Sequence, residues 1–169
     1  MHSTRGPNPD TRHDPPPEVI TERLRACCAA PDWVAAMLTA WPYATPDAAL
    51  HASEEAFANL DWAQIELALA AHPRLGDRPR GEGVEAASSR AEQSALGSDA
   101  AIRAELAEAN AQYERVFDRV FLSYADGRGA ADILAELRDR LTNDEETERR
   151  VVRRELGKIV ALRLRRWLG

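Results

Sequence analysis

Little in this sequence points to thiol, metal or membrane chemistry. Only two residues of 169 are cysteine, Cys27 and Cys28, side by side in an apolar run. Neighbouring residues on a helix face different directions, so the pair does not form an ordinary strain-free disulfide. No CxxC or Cys/His spacing suggests zinc, and the pair predicts buried thiols in a reducing compartment. No apolar run reaches the ~18 residues of a membrane span, and the N-terminus lacks the apolar core of a signal peptide. Positive charge is in deficit: 22 Lys and Arg against 28 Asp and Glu leave a net charge of -6. That argues against general nucleic-acid binding, which draws its affinity from a basic patch. The last residues, Arg166-Trp167-Leu168-Gly169, are no peroxisomal Ser-Lys-Leu address. A soluble cytoplasmic protein is expected, with neither nucleic acid nor membrane as partner.

The length suits one domain. Residues 1–17 carry Pro7, Pro9, Pro15, Pro16 and Pro17 among polar residues with almost nothing to bury, and predict a disordered tail before a helical domain over 18–169. From Glu18 to Ala29, Val19, Ile20, Leu24, Cys27 and Cys28 recur at helical spacing. Pro31 opens a second helix carrying Trp33, Val34, Met37 and Leu38, which ends before Pro42. A third begins near Pro46 and Asp47, with Leu50, Phe57 and Leu60 on one side. A fourth, capped by Asp61, runs through Trp62, Ile65, Leu67 and Leu69.

Asp99 reads as the cap of a long helix with Ile102, Leu106, Ala109, Tyr113, Val116 and Phe117 on one face. Val120 to Ala125 is the only strand-like run; lacking a partner, it reads as buried extended or helix-end backbone rather than sheet. Asp126-Gly127-Arg128-Gly129 is a turn, and Ala130 to Leu141 a helix that buries Ile133, Leu134 and Leu137. Asn143-Asp144 precedes a last long helix to Leu168. The fold class is all-α, a single-domain helical bundle of about eight helices.

The chemistry concentrates between His72 and Gln93, HPRLGDRPRGEGVEAASSRAEQ. Pro73 disfavours helical geometry at the residue before it, so His72 belongs at the C-terminal boundary of the fourth helix, where the helix dipole favours a protonated imidazole. A Gly-, Pro- and Arg-rich loop follows, then Ser89-Arg90-Ala91-Glu92 with the spacing of a capping box and a short helix to about Ala95. His72 and Glu92 are candidates for acid/base work, though a helix-end histidine and a capping-box glutamate also have plain structural readings.

The last helix supplies a third candidate. Counting ~100° per residue from Val152, Leu156, Ile159, Val160 and Trp167 form an apolar stripe, and Arg163 lies within it at about 20°. Arg154 and Arg165 point away, while Arg153 and Arg166 fall near its edges. A guanidinium on a core-facing stripe needs a carboxylate, a phosphate or carbonyls, since burying it unpaired costs several kcal/mol or more. Arg163 therefore either snorkels or pairs internally, or binds an anionic substrate group. His72 with Asp77 and Asp99 could be imagined as metal ligands, but no HExxH-like spacing supports it.

The runs LRACCAAPDWVAAM, DWAQIELALAAHPRLGD, SSRAEQ, LAEANAQYERVFDRVFLSYADGR and ELGKIVALRLRRWL together resemble the 2-oxo-4-hydroxy-4-carboxy-5-ureidoimidazoline (OHCU) decarboxylase family of urate degradation, over about residues 20–168. The resemblance implies an all-α, homodimeric, cofactor-free enzyme that acts on a small molecule, converting the ureidoimidazoline to (S)-allantoin and CO2. It puts the catalytic histidine at His72 beside Pro73, the acid and amide at Glu92 and Gln93, a serine at Ser89 and the carboxylate-binding arginine at Arg163, with Arg166 as a fallback. Backbone contacting the ring would come from Leu122, Ser123 and Tyr124. The residue after Phe117 is commonly Gly in that family and is Asp118 here. Two other classes stay open: a non-catalytic helical interaction module, and a metal-dependent hydrolase of a ureido or cyclic amide substrate using His72, Asp77 and Glu92.

Overall fold

Proline starts three helices and acidic caps start two more. In the computed structural model, which describes residues 15–75 and 100–169, Pro17, Pro31 and Pro46 are the first residues of α1 (Pro17–Cys27), α2 (Pro31–Thr39) and α3 (Pro46–Ala58). A first-turn proline costs nothing there, because its missing N–H would have had no helical partner. Asp61 caps α4 (Trp62–Ala70) by accepting from the Gln64 N–H at 2.9 Å, as the sequence predicts. Next come α5 (Ala100–Phe117) and α6 (Ala130–Arg140). Asp144 caps α7 (Glu145–Leu168) by accepting from the Thr147 N–H at 2.7 Å. Among the described residues there are seven helices and no strand. Asp99 and the short helix expected from Ser89 to Ala95 lie outside them.

The helices bury two apolar clusters. In the first, α1 packs on α2, α2 on α3, and both α1 and α3 on α7. Trp33, Leu24, Met37, Ile65, Leu156 and Leu164 are sealed inside it. Truncating a residue such as Leu156 to alanine there costs about 2–5 kcal/mol. The second is the α5/α6 pair, with Leu106, Tyr113, Ile133 and Leu137 at its centre. Val19, Leu67 and Val116, which the apolar pattern assigns to helix faces, are exposed; a wide helical stripe overruns the area its neighbours cover, and a lone surface aliphatic is ordinary.

The strand-like run Phe121–Ala125 is the seam between the clusters. It belongs to no helix and no sheet, in keeping with the sequence reading of extended or helix-end backbone rather than sheet. Successive side chains of extended backbone point to opposite sides. Phe121 and Ala125 enter the α5/α6 cluster while Leu122 enters the other, with Tyr124 packed at that cluster's edge.

Asp118, just past α5, has a φ of 52°, in the left-handed region. Its N–H donates to the Glu114 carbonyl at 2.9 Å, closing the helix. Glycine at this position is explained by that geometry, and aspartate tolerates it better than most side chains. Asp118→Val should therefore lower stability by about 1–2 kcal/mol, whereas Asp118→Gly should be neutral or stabilising; urea unfolding measures both, and a silent valine variant would show that the turn is unstrained.

Candidate functional site

His72 follows directly from the end of α4. Its N–H donates to the Leu69 carbonyl at 2.9 Å, and its side chain is almost fully buried. The chain beyond it is tied to α5: Arg74 pairs with Glu114, and the Asn110 amide donates to the Leu75 carbonyl at 3.0 Å. Across from this segment runs the extended seam. His72, Pro73, Leu75 and Phe121 to Asp126 line one cavity with Ile159 and Leu162 of α7. Five sequence-derived candidates, His72, Pro73, Leu122, Ser123 and Tyr124, thus meet around one space. That space is only about 20 Å³, room for about one water. His72 also borders a recess of about 360 Å³ with Glu66, Leu69, Asp118, Arg119 and Val120. A groove of about 450 Å³ between α3 and α7 touches Tyr124 but neither His72 nor Pro73, so volume alone does not locate the chemistry.

Arg163 is buried, as its phase on α7 predicts. It is one turn from Ile159 but does not line the small cavity. One of its N–H groups donates to the Ala26 carbonyl at 3.0 Å, in the last turn of α1. Carbonyls there lack helical partners and carry the negative end of the helix dipole, so they suit a cation. Arg166 is exposed and pairs with Asp126 at 3.1 Å. Ser89, Glu92, Gln93 and Asp77 lie outside the described residues.

The expectation that His72 is protonated is corrected. Burial, and after it the Arg163 charge, together push its pKa down to about 3. A helix C-terminus offers roughly half a charge from one side, whereas desolvation acts on the whole imidazolium. At neutral pH His72 is a neutral imidazole, able to accept a proton on one nitrogen and donate from the other. Cys28 feels the same two influences. Burial raises its thiol to about 11, partly offset by a hydrogen bond with the Ala30 backbone and by Arg163. Both cysteines are buried and unbridged, as expected.

A buried polar network behind the seam has no counterpart in the sequence reading. Arg140 donates to Glu148 from Nε at 2.9 Å and from Nη2 at 2.6 Å. Its Nη1 donates to the Leu122 carbonyl at 2.7 Å and to Glu136 at 2.9 Å. The Tyr113 hydroxyl and the Asn143 amide also donate to Glu148, at 2.6 and 2.9 Å. Ser123 donates to Glu136 at 2.8 Å, and Arg128 pairs with the same carboxylate. Burial alone would raise the Glu136 pKa, but these donors outweigh it and hold it below the usual range. From the opposite side, Glu155 of α7 accepts from the Tyr124 N–H at 2.9 Å. The count that singled out Arg163 could have found the acids, since Glu148 and Glu155 fall at about 320° and 300°, beside the apolar stripe.

The sequence profile of OHCU decarboxylase matches residues 14–165. "Uric acid degradation bifunctional protein TTL" of Arabidopsis thaliana is 30% identical over 155 residues, which are 87% of this chain and 47% of that protein. The chain thus spans about half the length of that curated relative. A crystal structure of OHCU decarboxylase in the presence of (S)-allantoin superposes with a TM-score of 0.76 at 27% identity, covering 87% of this chain and 97% of that one.

The state of His72 has a measurable consequence. Its folded pKa, near 3, lies below the ordinary 6.5 of the unfolded chain, so unfolding takes up a proton. The stabilisation is complete above pH 6.5 and is lost as pH falls toward the folded value. From pH 6.5 to about 4.5, before most carboxylates titrate, stability should fall with a slope approaching 1.4 kcal/mol per pH unit. His72→Asn should flatten that limb in urea titrations run at each pH; an unchanged slope would show that His72 is not buried neutral.

Proposed function

The chain belongs to the OHCU decarboxylase family, and on that premise we propose that it removes CO2 from 2-oxo-4-hydroxy-4-carboxy-5-ureidoimidazoline to give (S)-allantoin in urate degradation, without a cofactor. What carries this reading is the meeting of His72 and Pro73 with the Leu122–Tyr124 backbone around one cavity, in a fold matching an OHCU decarboxylase determined with (S)-allantoin. A small-molecule substrate, a homodimer and a cytoplasmic location complete the proposal.

Breaking the bond to the carboxylate releases an electron pair that the conjugated imidazoline ring accepts. The pair settles on the ring imine nitrogen, which takes up a proton; the hydroxyl proton leaves as the ring carbonyl forms, and another proton is delivered to the planar carbon that becomes the stereocentre. One proton is taken up overall for each carboxylate lost as CO2. The protein must orient the carboxylate and manage these protons. His72 and Glu92 share that work, and Arg163 holds the anionic group. Ser89, Gln93 and backbone groups of Leu122–Tyr124 fix the ureido and ring edges.

The resting pKa near 3 makes His72 a weak base in the free protein. A substrate carboxylate set against Arg163 would offset the charge that helps depress it, moving the imidazole toward a useful range only when substrate is bound. The same reading fits the buried arginine, because a guanidinium already desolvated binds a carboxylate more strongly than one in water does.

Freshly generated substrate, followed by circular dichroism of allantoin, tests the proposal. The protein should accelerate (S)-allantoin formation over spontaneous decay, equally with and without chelator. His72→Asn should lower kcat by about 10²-fold or more. Arg163→Lys should raise KM by about tenfold or more. Wild-type rates in His72→Asn would remove it from the chemistry. Loss of activity on chelation would favour a metal-dependent hydrolase, and no acceleration at all an interaction module.

A further inference from the structure

The seam is gripped from two sides by ionised residues that do not line the small cavity. From α6, Arg140 donates to the Leu122 carbonyl at 2.7 Å; from α7, Glu155 accepts from the Tyr124 N–H at 2.9 Å. These groups flank Ser123, whose hydroxyl is held by Glu136. Among the described residues, no hydrogen bond engages the backbone N–H of Leu122 or of Ser123. The grip therefore consumes specific backbone groups and leaves their neighbours uncommitted.

The residues making the grip are themselves held. Arg140 is fixed by three hydrogen bonds to Glu148 and Glu136 and lies over the Phe121 ring, 4.5 Å from its centroid. Glu155 is buried, and Lys158 donates to its other oxygen at 2.8 Å. Burial would raise its pKa, but Lys158 and the Tyr124 N–H outweigh that, so the acceptor stays ionised. An extended segment without a sheet partner has no ladder to fix its register. The ion-anchored bonds take the ladder's place.

We propose that Arg140 and Glu155 are positioning residues for the decarboxylation, clamping the Leu122–Tyr124 backbone so that its uncommitted N–H groups keep a fixed height opposite His72 and Pro73. This rests on the function proposed above. It goes beyond it in assigning two residues that act on the substrate only through the backbone they hold.

Hydrogen exchange and steady-state kinetics on the full chain test the clamp together. Glu155→Ala should speed exchange of the Tyr124 amide, within the 122–124 segment, by about tenfold while α1 to α4 keep their protection, and raise KM by a similar factor. Glu155→Gln retains an acceptor oxygen and should restore most of both. Arg140→Lys should move both readouts in the same direction as Glu155→Ala; if that variant does not fold, the two Glu155 variants decide. Unchanged exchange at 122–124, or a rise spread evenly through the chain, would overturn the clamp. Faster local exchange with an unchanged KM would overturn its role in the reaction. A wild-type protein no faster than spontaneous decay would instead overturn the proposed activity, with exchange still deciding whether the segment is clamped.

Discussion

The contact between Arg140 and Glu148 is the constraint on which the interior depends. Both side chains are buried, in the second apolar cluster and at the start of α7. Placing two full charges there costs several kcal/mol each before any attraction is counted. The cost is offset because every part of the pair is used. Glu148 accepts from Arg140, Tyr113 and Asn143, and Arg140 also reaches Glu136 and a backbone carbonyl. Removing one partner would leave the other charged and alone, a loss of about 3–5 kcal/mol, comparable to a large core truncation. An apolar pair of equal volume could match the stability. It could not hold a backbone carbonyl in place, which an ion pair with spare donors does.

The network also joins parts of the chain that share little apolar surface. The α5/α6 pair and the α1–α4 and α7 group have separate clusters, and the seam runs between them. Arg140 and Tyr113 reach Glu148 from the smaller group, while α7, which carries Glu148, belongs mostly to the larger. Cation–π contacts add a second link: Arg119, following α5, and Arg149 of α7 both lie over the Trp62 ring of α4, at 5.0 and 4.7 Å. Charged residues therefore do at the junction what apolar packing does within each cluster. They do it directionally, so the junction has a register.

What the sequence made legible follows from this division. Helix starts were readable because proline and acidic caps act locally, as at Pro31, Pro46, Asp61 and Asp144. The seam was readable as backbone outside any sheet, extended or at a helix end, because a strand-like run with no partner pattern is conspicuous. Arg163 was readable because helical phase puts a cation where only apolar residues belong. The network was not: Arg140 and Glu136 lie a turn apart on an ordinary amphipathic helix, and nothing in their spacing says that Leu122 stands opposite. The protonation of His72 was misread for a related reason. Sequence shows the helix end that favours the cation but not the neighbours that remove its water.

Arg163 shows how one residue can be structural and still act electrostatically on its neighbours. Its bond to the Ala26 carbonyl satisfies the end of α1, so the side chain has a reason to be buried without any substrate. A carbonyl is a dipole, and that contact leaves the formal charge of the guanidinium intact. The charge is still felt at His72 and at Cys28, where it lowers both pKa values. The desolvation of Arg163 is met once, on folding, by the packing around α7 and the bond to α1. The same logic applies to His72, whose neutral state is set on folding by its burial and by that charge.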